Sequence, residues 1–232
     1  MGVLVSYEVD GPVAIITMDD GKANVLSPAM QSEIHEALGR AEADGAVVLL
    51  QGRVGCFSGG FDLAILRAGG PDASSMLRGG FVLAERLLTF PTPVVAVCTG
   101  HAVAMGVFVL LSTDYRIGGD GPFRITANEV AIGLTMPRAA IEILRQRLTP
   151  AAFNRAALLA EVFSPDNAVE CGFLDQVVPT ESLLSAGREV GNHLATLHAG
   201  AYAATKLRAR RGSLEAIRTA MEADLPDFGP VG

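Results

Sequence analysis

The chain has 232 residues, half of them apolar, with a mean hydropathy of +0.36, a net charge of −7 and a pI of about 5.1. That length suits one sizeable core with a small appendage, and so apolar a composition points to buried subunit contacts, hence an oligomer. The acidic balance leaves no broad basic field, which excludes nucleic acid as a partner. Cys56, Cys98 and Cys171 form neither a CxxC pair nor a metal spacing, so reduced thiols in a cytoplasmic protein are expected. The opening MGVLVSYEVDG lacks the basic stretch, apolar run and cleavage site of a secretory signal.

In chain order, residues 3–9 and 12–18 are predicted to be two short strands around the Gly11-Pro12 turn signal. Ser27-Pro28 then reads as an N-cap and first helical position, followed by Met30, Ile34, Ala37, Leu38 and Ala41 at helical spacing. Residues 46–51, AVVLLQ, have the composition of a fully buried strand, and 52–60 read as a glycine-rich loop. A helix is predicted over about 74–89, entered at Ser74 or Ser75. A strand at 94–99, a turn at Gly100, a helix from about 105 to 112 and a short strand near 114–118 follow.

Thr149-Pro150 and Ser164-Pro165 each open a further helix, the second ending at Gly172. Residues 173–178 read as a short strand, Thr180 as the start of a helix reaching about His198, and 201–225 as a more charged helix. Strands alternating with helices imply an α/β fold with parallel pairing. Val94 to Thr113 contains no Lys, Arg, Asp or Glu over the length of a membrane span. Its β-branched start, the flanking Pro91 and Pro93, the internal Gly100 and Gly106, and His101 point instead to a buried strand, a turn and a buried helix. No membrane partner is expected.

Two segments carry the chemistry, CFSGGFDL at 56–63 and TGHAVAMG at 99–106. Each follows a buried apolar strand and leads into a helix, where peptide N–H groups lack intrahelical partners and the helix dipole adds positive potential. Gly59, Gly60, Gly100 and Gly106 allow sharp turns and close approach to a ligand. Two such loops side by side can aim two N–H groups at one oxygen, an arrangement that stabilises an enolate. Spacing alone equally allows glycines that only serve turns and helix packing.

CFSGGFDL resembles the first oxyanion segment of the crotonase (enoyl-CoA hydratase/isomerase) superfamily, and TGHAVAMGVFVLLSTDYRI resembles its second. GPVAIITMDDGKANVLS, ANEVAIGL and SPDNAVECGFLDQVV resemble its opening strand with the K-x-N-A-L segment, its P-E-x-x-x-G-L segment and its A-x-x-x-G-[LF] segment, in the family's order over about residues 3–180. The resemblance implies a crotonase-like spiral of ββα units with a helical C-terminal region: an α/β core over 1–180 and a helical region over 181–232 serving as an oligomerisation arm. It implies trimers or hexamers, an acyl-CoA or enoyl-CoA thioester as partner, and coenzyme A entering with the substrate, with no bound cofactor.

Carried over position by position, the resemblance makes Gly59 and Met105 the oxyanion donors. It places Lys22, Ala23 and Val25 on the adenine side of CoA, and Asp62 and Leu63 where the first loop bends over the pantetheine. Phe57, Gly60, His101 and Gly106 belong to the same two loops and are further substrate-binding candidates. Glu129 matches one of the two glutamates usual in hydratases, and Phe108, which cannot transfer a proton, stands at the position of the other. One carboxylate can carry a proton from the α-carbon to the γ-carbon, whereas hydration is better served by two groups. Isomerisation of 3-enoyl to 2-enoyl thioesters is therefore favoured, with hydration kept as an expectation of the family. Alternatives are a non-catalytic acyl-CoA-binding protein and a CoA-thioester hydrolase or decarboxylase on the same scaffold.

Ser58 lacks a G-x-S-x-G elbow and Cys56 an evident activating base. No HxxxH or HxH pair suggests a metal. Lys206, Arg208, Arg210 and Arg211, or Arg53 and Arg67, are candidates for a CoA phosphate, each against the alternative of a solvated face. Asp114 and Arg116 are expected to form a structural ion pair, and 134–140 depart from the family pattern beside the acyl pocket.

Overall fold

A computed structural model describes residues 3–227; residues 1–2 and 228–232, the outer ends of the two predicted regions, lie outside the described residues. β1 (Val5–Asp10) and β2 (Val13–Met18) form the predicted hairpin. α1 (Pro28–Asp44) is capped as expected: the Ser27 hydroxyl accepts the Met30 N–H, and Gly45 closes the helix in a left-handed conformation. β3 (Val47–Gln51) leads to β4 (Gly55–Ser58), α2 (Leu63–Ala68) and α3 (Gly70–Thr89). β5 (Val94–Cys98), β6 (Gly100–Val103) and α4 (Met105–Leu111) come next, then β7 (Tyr115–Gly119) and β8 (Ile125–Thr126). α5 (Arg138–Arg145), α6 (Pro150–Leu159), α7 (Pro165–Cys171), β9 (Gln176–Val178), α8 (Leu183–Leu194) and α9 (Ala199–Asp224) complete the chain.

The six-stranded sheet runs β1-β2-β3-β5-β7-β9, parallel except for the β1–β2 hairpin, and a smaller parallel sheet runs β4-β6-β8. After the β1–β2 hairpin, the pairs β3-β4, β5-β6 and β7-β8 each contribute their first strand to the large sheet and their second to the small one. The central strands β2, β3 and β5 are buried on both faces and are nearly continuous apolar runs, whereas the edge strand β1 is largely exposed. Ala14, Ile16, Val48, Leu50, Val94 and Ala96 face the main core with α1, α3 and α4. The alternating Val13, Ile15, Val47, Leu49, Val95 and Val97 face Leu183, Ala186, Val190 and Leu194 of α8. α9 lies along α5 and α3.

Several predicted boundaries change. The 52–60 loop contains β4, and the Gly100 turn is part of β6; each strand is too short to show a period and exists through its pairing with the other. The helix expected to enter at Ser74 or Ser75 starts at Gly70, with Pro71 in its first turn, and the Ser74 hydroxyl donates back to the Gly70 carbonyl. A 3-10 turn over Thr180–Ser182 precedes α8, so the helix does not begin at Thr180. Residues 94–113 divide into β5, β6 and α4, and no helix among the described residues is long and apolar enough to cross a membrane.

In place of the expected Asp114–Arg116 pair, each residue finds other partners. Asp114 binds Lys206 (2.8 Å) and Arg210 (2.9 Å) of α9 and accepts the Val94 N–H, while Arg116 binds Asp175 (2.6 Å). Lys206 is buried, and the charges of Lys206 and Arg210 are spent on holding α9 to the core, which removes both as candidates for a phosphate.

Candidate active site

The two glycine-bearing loops leave the ends of adjacent parallel strands. β4 pairs with β6 in the register Gly55↔Gly100, Cys56↔His101 and Ser58↔Ala102. Beyond them the backbones nearly touch. A Cβ on Gly60, whose φ is +90°, would come within 2.9 Å of the Ala104 Cβ and the Val103 oxygen, and within 3.3 Å of the Met105 nitrogen. A Cβ on Gly106 would lie 2.4 Å from the Ser58 oxygen, so only glycine lets α4 start against β4.

The second loop turns through Ala104, which sits at φ +50° and ψ −125° and donates its N–H to the Thr126 carbonyl of β8 (2.9 Å). Met105 then opens α4, and its N–H has no partner among the described residues. In the first loop the structure overturns one expectation. The Gly59 N–H donates to the Ala23 carbonyl at 2.7 Å and is therefore occupied. The Gly60 N–H turns to the Ser58 hydroxyl (3.2 Å). The next amide, that of Phe61, has no partner among the described residues. The Phe61 ring and the Met105 sulfur both lie over Gly80 of α3, where a Cβ would meet them at 2.5 Å and 3.3 Å. The free amides are thus those of Phe61 and Met105, on neighbouring loops.

A third segment braces the first loop. Asn24 is fully buried at φ +49°, and its amide donates to the carbonyls of Met18 (2.9 Å), Cys56 (3.2 Å) and Phe57 (3.3 Å). The Asp20 carboxylate gathers the N–H groups of Lys22, Asn24 and Val25. The Ser58 hydroxyl donates to the Asn24 carbonyl (2.8 Å), and the Leu26 N–H to the Gly60 carbonyl (2.7 Å). Sequence reasoning misses Asn24 as a bracing position; its signal is an Asn after Asp-Gly-Lys-Ala, a residue that tolerates the left-handed region while bonding neighbouring backbone.

The remaining candidates separate by environment. Phe57 is fully buried in the core, so its side chain is no substrate contact. The Lys22 side chain is exposed and its carbonyl accepts from Arg53 (2.9 Å). Ala23 supplies the carbonyl that occupies Gly59, and Val25 bridges to Gly60. Asp62 caps α2 through the N–H groups of Ala64 and Ile65, and Leu63 remains half exposed beside it. His101 accepts the Arg124 N–H on Nδ1 (3.0 Å) and meets the Phe123 ring edge-on. The buried Ser58 hydroxyl and the Cys56 thiol, whose pKa burial raises, both bond backbone carbonyls and stand as packed groups.

Glu129 follows β8, the strand paired with β6, and stands at the entry of a 3-10 turn over Val130–Ile132. It is 8% exposed, its Oε2 has no hydrogen-bond partner among the described residues, and burial pushes its carboxyl up to about 7. The other buried carboxylate among the described residues, Asp224, is occupied in capping α5 through the N–H groups of Arg138 and Ala139. Phe108 is 1% exposed and stacks on Phe81 with ring centroids 6.3 Å apart.

The family model for enoyl-CoA hydratase/isomerase matches residues 8–229. Human mitochondrial enoyl-CoA delta isomerase 1 is 29% identical over 231 residues, covering 97% of this chain and 76% of its own. The crystal structure of an enoyl-CoA hydratase from Mycobacterium marinum has a TM-score of 0.94 at 45% identity, covering 97% of this chain and all of that one (100%). An enoyl-CoA isomerase from Mycobacterium tuberculosis has a TM-score of 0.93 at 44% identity, covering 98% and 99%. The match runs from within β1 to beyond α9 and takes in both loops and Glu129: the chain belongs to the enoyl-CoA hydratase/isomerase family of enzymes, in the crotonase superfamily.

Proposed function

We propose that the protein moves the double bond of a 3-enoyl-CoA thioester to the 2-position, with Glu129 as its one acid/base group. The observation that carries this reading is the pairing of a buried carboxyl that has one oxygen unpartnered among the described residues and is raised to about 7, with a phenylalanine packed into the core at the second acid's position. Ionised Glu129 takes a proton from the α-carbon, and the electron pair moves onto the thioester oxygen as a dienolate. The Phe61 and Met105 N–H groups receive that oxygen, each donor lowering the barrier by about 3 kcal/mol. The proton then returns to the γ-carbon, the dienolate collapses and the 2,3-double bond forms. Lys22, Ala23 and Val25 line the adenine side of CoA, and Asp62 and Leu63 the pantetheine side.

The protein works as a homo-oligomer in this reading. Val130, Ile132 and Leu134 after Glu129, with Leu158, Leu159 and Val162 at the end of α6, leave large apolar side chains exposed on neighbouring elements, as an interface does.

The test is turnover of 3-enoyl-CoA against hydration of 2-enoyl-CoA by the purified protein. Isomerisation is expected, with hydration at least about 100-fold slower, the low end of what a second positioned acid–base group contributes. Hydration at or above the isomerisation rate overturns the proposal.

A further inference from the structure

Helix α3 carries two glycines side by side in its middle, Gly79 and Gly80, although glycine is a poor helix former and both lie in ordinary helical backbone. What each one admits explains it. A Cβ on Gly79 would collide with Oε1 of Gln31. Gln31, on α1 and 5% exposed, uses that space to donate its Nε2 to the carbonyls of Leu26 (2.9 Å) and Met76 (3.0 Å). A Cβ on Gly80 would meet Cζ of Phe61 at 2.5 Å and Sδ of Met105 at 3.3 Å. The two residues whose amides are free therefore rest their side chains on one point of α3.

These contacts converge on one peptide unit. The Leu26 N–H donates to the Gly60 carbonyl at 2.7 Å, and that carbonyl shares a planar peptide with the Phe61 N–H. In a trans peptide the C=O and N–H point in opposite directions, so whatever fixes the carbonyl aims the amide. Leu26 is fixed in turn through its own carbonyl by Gln31, and the far end of the peptide is fixed by the Phe61 ring in the Gly80 notch. We infer that Gln31 and the Gly79-Gly80 step of α3 are positioning residues of the oxyanion hole. They hold the Gly60–Phe61 peptide from both ends, so that its N–H meets the thioester oxygen together with that of Met105. The inference deepens the proposed function and rests on its oxyanion hole, not on the choice between isomerisation and hydration. A donor displaced by about 1 Å loses on the order of 100-fold in rate. The contacts that hold CoA are untouched, so the loss falls on kcat and not on KM.

The experiment reads the infrared carbonyl stretch of butanoyl-CoA, carbon-13 labelled at the thioester carbon and bound to the full chain, beside kcat and KM on the enoyl-CoA that the wild type turns over. In the wild type the band should lie below its frequency in water, because two donors on the oxygen weaken the C=O bond. The near-isosteric Gln31→Met removes the Nε2 donor, Gly79→Ala evicts it, and Gly80→Ala pushes out the Phe61 ring. Each should move the band back towards its frequency in water and lower kcat by about 10–100-fold, with KM changed less than about 2-fold. The double variant Gly80→Ala/Phe61→Ala keeps the amide at 61 and removes the clash, so it should recover most of the loss. Lys206→Met, which breaks the buried ion pair between α9 and Asp114, should lower stability and leave the band in place. An unshifted band in the wild type removes the oxyanion hole and this inference with it. A shifted wild-type band that Gln31→Met and Gly80→Ala both retain overturns the inference alone, as does an equal displacement in Lys206→Met.

Discussion

Replacing Glu129 with glutamine keeps the shape of the side chain and removes its titration. In the folded protein burial raises the carboxyl from 4.5 to about 7, while the unfolded chain keeps the ordinary value. Between those values the folded state holds a proton that the unfolded state has lost. Wild-type stability therefore falls as pH rises through this window and levels off above about pH 7. At about 1.4 kcal/mol per unit, the shift amounts to about 3 kcal/mol. Glutamine carries no such penalty, so the variant should match the wild type near pH 4.5 and exceed it by up to about 3 kcal/mol at pH 8. Urea unfolding at a series of pH values measures the difference. Turnover runs the other way: the wild type needs the ionised base, so kcat/KM should rise through about pH 7, while Glu129→Gln should lose at least about 100-fold and still bind a CoA ester. A stability difference that does not change with pH refutes the buried-carboxyl argument, and retained turnover removes Glu129 from the mechanism.

Asp224→Ala removes the carboxylate that caps α5 and binds the Arg138 guanidinium (3.1 Å). It should cost about 2 kcal/mol in chemical denaturation, and a loss under about 0.5 kcal/mol would contradict the cap's role. Lys206→Met leaves Asp114 with Arg210 and the Val94 N–H but strips one partner from a buried ion pair. A loss of about 3 kcal/mol is expected in the same measurement, and unchanged stability would show that the pair holds nothing. Ala104→Gly relieves a backbone conformation that L side chains rarely adopt and should raise the unfolding free energy by about 1 kcal/mol with turnover retained. A fall in stability would mean that the turn is not strained.

The centre of the large sheet was legible because β3 and β5 are buried on both faces. AVVLLQ and VVAV need no period to be recognised as interior strands, and the helices capped by Ser27 and Thr149 announce themselves by a hydroxyl before proline. The small sheet was not legible. GCFS, GHAV and the two-residue β8 carry no pattern of their own, and they become strands only where the fold lays them side by side. The candidate site divides along the same line. Motif order located both loops and Glu129 within the chain. It placed the first free amide at Gly59, two residues before the one the structure leaves unpartnered, because a carbonyl from residue 23 takes the Gly59 hydrogen. The basic residues of α9 likewise read as phosphate ligands until the fold set Lys206 and Arg210 against Asp114.

By itself the sequence determined which residues are interior, where most helices begin, and that the acid/base inventory near the second loop contains Glu129 and lacks a carboxylate at 108. Those properties follow from side-chain chemistry and short-range spacing. Only the tertiary structure decided which amides are free, that Glu129 has one buried oxygen unpartnered among the described residues, and that its carboxyl is held near neutrality. Hydrogen-bond engagement and desolvation depend on what distant parts of the chain bring alongside, and neither is a property of a residue or of its neighbours in sequence.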